Sequence, residues 1–310
     1  MNTKMDRRKF LGAGFGVFAV GMTGCGKTEK PPLDDRFTYD ISAYMKTDPA
    51  LLLYAETDQF PTGFTEPKCL AVDGDTILVG GDKAIRTFDH TGKLLRTREL
   101  PALPHAVTAG GLVAYKDRFA DVSYGDRAHL TSITKSGDDI FVADAGNREV
   151  LRCDVGGKVL SRIKGFAVPS PYFDLHVGVD GLLWVVNPGK HRIEAYNLDG
   201  TLELSWGETG MNVEGFCGCC NPVYFTRLPD GRFVTSEKGL NRIKIYDPRG
   251  KFVGVVAGPE QLVKDLELAK KACANCQIGF GFPIACDATG RVLALDPATK
   301  AVRIFSPKKA

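Results

Sequence analysis

The chain has 310 residues, 44% of them hydrophobic and 25% charged, with 40 basic side chains against 37 acidic ones. The first 24 residues carry Lys4, Arg7, Arg8 and Lys9 against Asp6 alone, so the remainder is electrically balanced. No basic stripe is visible, and nucleic acid or another polyanion is not an expected partner.

Residues 6–25 read DRRKFLGAGFGVFAVGMTGC. Paired arginines precede an uncharged stretch of about fourteen residues, too short and too glycine-rich for a membrane span of about 20 residues. The segment resembles a twin-arginine signal ending in a lipoprotein cleavage site. The resemblance implies a signal peptide over 1–24, lipidation of Cys25 and a tether over 25–50. The protein would then be exported to the periplasmic side of a bacterial cytoplasmic membrane, or to the periplasm, with its lipid anchor as the membrane contact. An uncleaved anchor and a chance basic N-terminus are the plainer readings. Residues 21–28, GMTGCGKT, fit the phosphate-loop spacing. That loop needs a preceding strand and a following helix; here a signal segment precedes it and a proline-containing linker follows.

From about residue 67 the chain repeats one phrase. Residues 79–89 read VGGDKAIRTFD, 142–154 VADAGNREVLRCD, 185–197 VVNPGKHRIEAYN, 234–247 VTSEKGLNRIKIYD and 293–305 LALDPATKAVRIF. Each is a β-rich run, a polar turn, and an alternating run ending in a large side chain or, at Cys153, a cysteine. Such repeats mean stacked supersecondary units. Four-stranded sheets packed radially cover one another's apolar faces and keep their edges short. The turn anchors are Asp82, Asp144, Asn187, Glu237 and Asp296, and residues 105–125 fill the long gap after Asp82 as one more compact blade. The expectation is an all-β, six-bladed β-propeller over 51–310, with blades between about 67 and 306 of about 40 residues each. Residues 51–57, LLLYAET, are expected to supply the outermost strand of the last blade. Residues 260–272 suit one surface helix.

These phrases, 142–154 above all, resemble the NHL-repeat family of six-bladed propellers, over most of the chain after residue 66. That family includes protein- and RNA-binding modules as well as lyases and lactonases, so the resemblance implies the fold and leaves function to the site.

Nine cysteines are many for such a fold. Cys153 takes a blade-packing position, and Cys69 and Cys286 fall on inner strands, near the central channel or in the core. The other five lie in two linkers, 215–222 (GFCGCCNP) and 270–283 (KKACANCQIGFGFP). Both are outer-to-inner connections of adjacent blades and emerge on the same face as the second-to-third turns. Cys217, Cys219, Cys220, Cys273 and Cys276 are therefore expected to converge there, with Cys286 one strand below. Three chemistries fit. Thiolates suit an iron–sulfur cluster or a soft metal, although C-x-C-C with C-x-x-C is no ferredoxin spacing. Setting aside Cys25 leaves eight cysteines, and an even count in an oxidising compartment suits disulfides. Cys273 and Cys276 also suit a redox dithiol.

Lactonase-like propellers hold a divalent metal at the channel mouth with Glu, Asn and Asp. Asn187, Glu237 and Asp296, with Asp144 and Asp82 nearby, have that chemistry; the plainer reading is turn residues bonded to their own backbone. His191 shares the cysteine face, as a ligand, an acid–base group or a locally satisfied side chain. His105, His129 and His176 lie near inner-strand starts, and His90 in a surface turn. Trp184 and Trp206 read as blade packing. Neither a Gly-x-Ser-x-Gly motif nor a nucleophile–base spacing is present. The leading expectation is a binding module, holding a cysteine-ligated centre, that meets a protein partner at a membrane. The alternatives are a lactonase- or lyase-type enzyme with a divalent cation, and a disulfide-stapled interaction scaffold without cofactor.

Overall fold

Alternating runs separated by glycine and aspartate turns form six four-stranded antiparallel sheets. The computed structural model describes residues 42–263 and 280–309. The expected signal segment 1–24, Cys25, and linker cysteines Cys273 and Cys276 lie outside the described residues. The innermost strands, in chain order, are Pro67–Asp73, Ala106–Val107, Leu130–Ser136, Leu175–Val177, Tyr224–Arg227 and Ile284–Cys286. Contacts between inner strands of adjacent blades include that between the sixth and the first, so the sheets form a six-bladed β-propeller.

Burial follows position within the blade. The second strands Asp139–Asp144, Leu183–Asn187 and Val292–Asp296 are flanked by neighbouring blades on both sides and are almost wholly buried. They accordingly read as near-continuous apolar runs. The outermost strand Leu94–Glu99, LLRTRE, is exposed throughout. Apolar clusters fill the seams between blades. Phe60, Val79, Phe88, Leu293 and Ile304 join the sixth blade to the first, and Trp184, Phe225, Phe233 and Tyr246 join the fourth to the fifth. Each large side chain so buried contributes about 1.5–3 kcal/mol. Trp184 and Trp206 both belong to this packing. Cys153 is fully buried in the seam between blades two and three, its Sγ 3.4 Å from the Tyr124 hydroxyl.

The turn after the third strand also serves the seam. Gly92 (φ +85°) and Gly250 (φ +83°) adopt left-handed backbone, and a Cβ there would run into Phe60 and Trp206 of the preceding blade. Only glycine meets both demands.

The ring closes on a strand from early in the chain. Tyr54–Pro61 pairs antiparallel with Ala301–Pro307, from Tyr54↔Pro307 to Pro61↔Ala301 with a bulge between Glu56 and Asp58, as the outer strand of blade six. It starts three residues later than the sequence suggests. Pro49–Leu51 instead forms a 3₁₀ turn, and Leu52 makes a parallel bridge to Val255 of blade five. Arg303 fastens the closure, its Nε and Nη2 donating to the Glu56 carboxylate at 2.9 and 2.6 Å. Its Nη1 donates to the Leu262 carbonyl at 3.1 Å. Leu262 ends the short helix Pro259–Leu262; the rest of the 260–272 helix expectation falls mostly on residues outside those described.

Candidate functional site

The linker from blade four to blade five is held by a buried charge network. Glu237 and Lys244 are fully buried and Arg242 is 3% exposed. The Glu237 carboxylate lies 2.6 Å from Lys244 Nζ and 3.0 Å from Arg242 Nη2, and accepts the Cys217 backbone N–H at 3.1 Å. The two cations then bond linker carbonyls: Lys244 Nζ donates to Gly215 at 2.7 Å and Arg242 Nη1 to Asn212 at 3.0 Å. Burial favours the neutral form of Glu237, but the Lys244 and Arg242 charges outweigh it and hold the carboxyl below its ordinary range. Burial lowers Lys244 to about 8 against the pull of Glu237. A carboxylate committed to two cations and a backbone amide is a clamp for the linker.

The other two residues of the divalent-cation expectation are committed in the same manner. Asn187 is fully buried; its carbonyl accepts from Ala167 N at 2.9 Å and its amide donates to Glu194 at 3.0 Å. Asp296 accepts the backbone N–H groups of Ala298 and Thr299 and lies 3.6 Å from Arg303 Nη1. Each anchor is thus paired with the residue seven positions on: Asn187 with Glu194, Glu237 with Lys244, Asp296 with Arg303. Asp144 caps its own turn through Gly146 and Asn147, and Asp82 accepts from Thr65 and Glu66. Among the described residues, no group of three His, Cys, Asp or Glu side chains has metal-binding geometry. These bonds are those of turn anchors, the plainer of the two readings of these residues.

The described linker cysteines differ in burial. Cys217 is buried against Met45 and Leu240. Cys219 is exposed and Cys220 is 1% exposed, and their sulfurs approach to 3.3 Å. Burial favours the Cys220 thiol, but hydrogen bonds from Ser170, Lys238 and Cys219 outweigh it and bring its pKa below the ordinary value. Cys286 is not one strand below this pair. It ends the three-residue inner strand of blade six, beside Thr226 and Tyr54, where the chain turns away at Asp287–Arg291. Burial raises its pKa, and raises that of Cys69 to about 12, so both behave as inert core thiols. His191 is 9% exposed, lowered by burial, with Nδ1 unpartnered, and lies near Asn221 and Glu237 at the root of the linker.

The same face opens into the central channel. A mouth of about 220 Å³ is lined by Lys68, His105, His129, Thr131, Tyr172 and Tyr224, among others. Below it a chamber of about 60 Å³ reaches Asp174 and Cys69. The His105 and His129 rings lie 5.3 Å apart, and Tyr172 meets Tyr224 edge-on at 5.7 Å. Burial, then each other's proximity and Lys68, lowers His105 to about 4; burial and Lys116 lower His129. Asp174 accepts from Leu175 N and Phe225 N, stapling blades four and five, and burial raises it to about 6. Lys238 joins this mouth to the thiol pair, since its ammonium also stands 5.3 Å over the Tyr172 ring. The sequence reading overlooked the mouth. Its signal is a basic or aromatic residue at the entry to successive inner strands: Lys68, His105, His129, Tyr172, Tyr224.

No family model matches the sequence, and no curated protein matches it. Among solved structures, a protein of unknown function from Bacteroides caccae is 15% identical, with 63% of this chain and 82% of that chain covered and a TM-score of 0.48. The glutaminyl cyclase of Myxococcus xanthus is 10% identical, with 83% and 97% covered and a TM-score of 0.48.

Proposed function

We propose that this chain is an exported, lipid-anchored, NHL-like propeller that acts as a binding module on the outer side of a bacterial cytoplasmic membrane. It presents a thiol-bearing face to a protein partner in a membrane-associated redox or maturation system. The observation that carries this reading is the Cys219–Cys220 pair, sulfurs 3.3 Å apart, with Lys238 beside the buried member. A cation near a thiol favours the thiolate, the form that attacks disulfides and binds soft metals. Residues 6–25 support export and attachment at Cys25, where more than one acyl chain would give stable anchoring. Cys273 and Cys276 enter the reading as further thiolates for an iron–sulfur cluster or a thiolate-bound metal. Such a centre would supply electron transfer or soft-metal binding; the chain's part is to hold the linker rigid through Glu237, Arg242 and Lys244.

The test is anaerobic purification of the full-length protein, with elemental analysis and an absorbance spectrum. The expected result is stoichiometric metal, with absorption near about 400 nm if it is iron, lost in Cys219→Ser and Cys276→Ser. A colourless, metal-free protein whose stability falls by about 2–5 kcal/mol under reductant would replace this reading with a disulfide-stapled scaffold.

A further inference from the structure

The channel mouth has a one-sided chemistry. Among the described residues, no aspartate or glutamate lines the 220 Å³ chamber. Its polar groups are the Lys68 ammonium, two imidazoles, the Thr131 hydroxyl and two phenols, set among prolines and Phe280. Lys116 adds a second positive charge near the histidines. The nearest acids are committed elsewhere: Asp174, in the chamber below, accepts from Leu175 N and Phe225 N. Asp144 accepts from His129 N, Gly146 N and Asn147, and Glu66 makes an exposed pair with Lys68 at 2.9 Å. Such an exposed pair is worth at most about 1 kcal/mol and yields readily to a better-placed anion.

Both imidazoles are held neutral at ordinary pH by burial and by the neighbouring lysines. Each neutral ring then offers one donor and one acceptor. Low-dielectric walls with one sign of charge concentrate the opposite sign in the cleft. The volume lies below the range of about 300–1,000 Å³ typical of drug-sized ligands, which fits a small molecule and leaves no room for a peptide. The edge-on tyrosine pair and the prolines give a flat or apolar body something to pack on.

We infer that the channel mouth binds a small organic monocarboxylate. Its carboxylate is held by Lys68, His105 and His129, and its body packs against Tyr172 and Tyr224. This site adjoins the thiol pair through Lys238, which stands over the Tyr172 ring, but its proposed carboxylate contacts do not involve the cysteines.

The experiment is titration of full-length protein with acetate, pyruvate and benzoate, each against its neutral amide, followed by calorimetry or ligand-observed NMR. At least one carboxylate should bind saturably, with its amide at least tenfold weaker. Lys68→Gln should weaken binding about tenfold, and the double variant His105→Gln/His129→Gln should abolish it. Cys219→Ser should leave it unchanged, which separates failure here from failure of the thiol reading. Circular dichroism and the melting temperature check that the variants fold. Tyr172→Leu, at the chamber wall, should weaken benzoate more than acetate. Absence of saturable binding by all three acids, equal binding of the amides, or indifference to Lys68→Gln in a folded protein would each overturn the inference.

Discussion

Glu237 and Lys244 face each other at 2.6 Å with both side chains fully buried, and they stand seven residues apart in the chain. The ion pair spans the second-to-third turn of blade five, and its cation reaches on to the Gly215 carbonyl. One pair therefore fixes both the blade and the cysteine linker beside it.

Removing one side of this network strands the other. Glu237→Ala leaves Lys244 and Arg242 buried without their anion, and a loss of about 3–5 kcal/mol is expected. Glu237→Leu combined with Lys244→Met removes that pair but leaves Arg242 without its anion, so it should recover only part of that loss. Urea unfolding of the single and double variants measures the difference.

The ring closure is a second point of leverage. Arg303 is 8% exposed and ties Glu56, Leu262 and Asp296 together. Glu56→Ala should cost about 1.5–3 kcal/mol, as hydrogen bonds to charged groups do, and Arg303→Ala more. Limited proteolysis should cut first within residues 52–62 in both variants, because the freed outer strand is the element these bonds retain.

Acid should destabilise the fold through its histidines. Burial is the leading cause that lowers His105 (to about 4), His129, His176 and His191. A lowered histidine binds fewer protons folded than unfolded, so stability is complete above the ordinary pKa of 6.5 and falls as pH drops towards 4. Asp174 acts in the opposite sense. Raised to about 6 from 3.8, it binds more protons folded than unfolded, and its contribution is full below about 4 and lost as pH rises through 6. His105→Gln should flatten the rise of stability between pH 4 and 6.5, and Asp174→Asn should steepen it. Denaturant midpoints taken across that range separate the two.

The Cys220 thiol should ionise early. Lys238, Ser170 and Cys219 lower its pKa against burial, so methylthiolation of Cys220 should reach half its limiting rate at a lower pH than an ordinary cysteine, near 8.5. Lys238→Met should move that midpoint upward. An unchanged profile would remove the lysine from the thiol's electrostatics.

The blades were legible because strand burial writes itself into composition. Fully flanked second strands read as apolar runs such as IFVA and VLAL, and the outermost strand LLRTRE alternates only weakly, since nothing covers it. The closing strand was legible in kind but not in position, because the 3₁₀ turn at Pro49–Leu51 and the bridge at Leu52 delay it. The turn anchors left two readings open. Repeat alignment equates Asn187, Glu237 and Asp296, which suggests a structural role, while their chemistry also suits a ring of ligands. The discriminating signal was a polar residue seven positions later, inside an otherwise apolar third strand, at Glu194, Lys244 and Arg303. A charged residue at a core position demands a partner, and the turn anchor is that partner. The channel mouth was missed because its residues come from all six blades and never stand together in the chain.

The pairing of Tyr54–Pro61 with Ala301–Pro307 sets the order of events during synthesis. The early strand must wait, with one hydrogen-bonding edge open, until residue 307 has left the ribosome. Contacts across so long a stretch of chain are slow to form. Blades one to five can each assemble as they emerge, but the circle has no seal until the two strands meet. Loss of the segment after residue 300 would leave blade six with an exposed edge and Phe60 uncovered, and that edge is a template for another copy of the same strand. A nonsense mutation there would be read out as oligomers rather than as a merely weaker monomer.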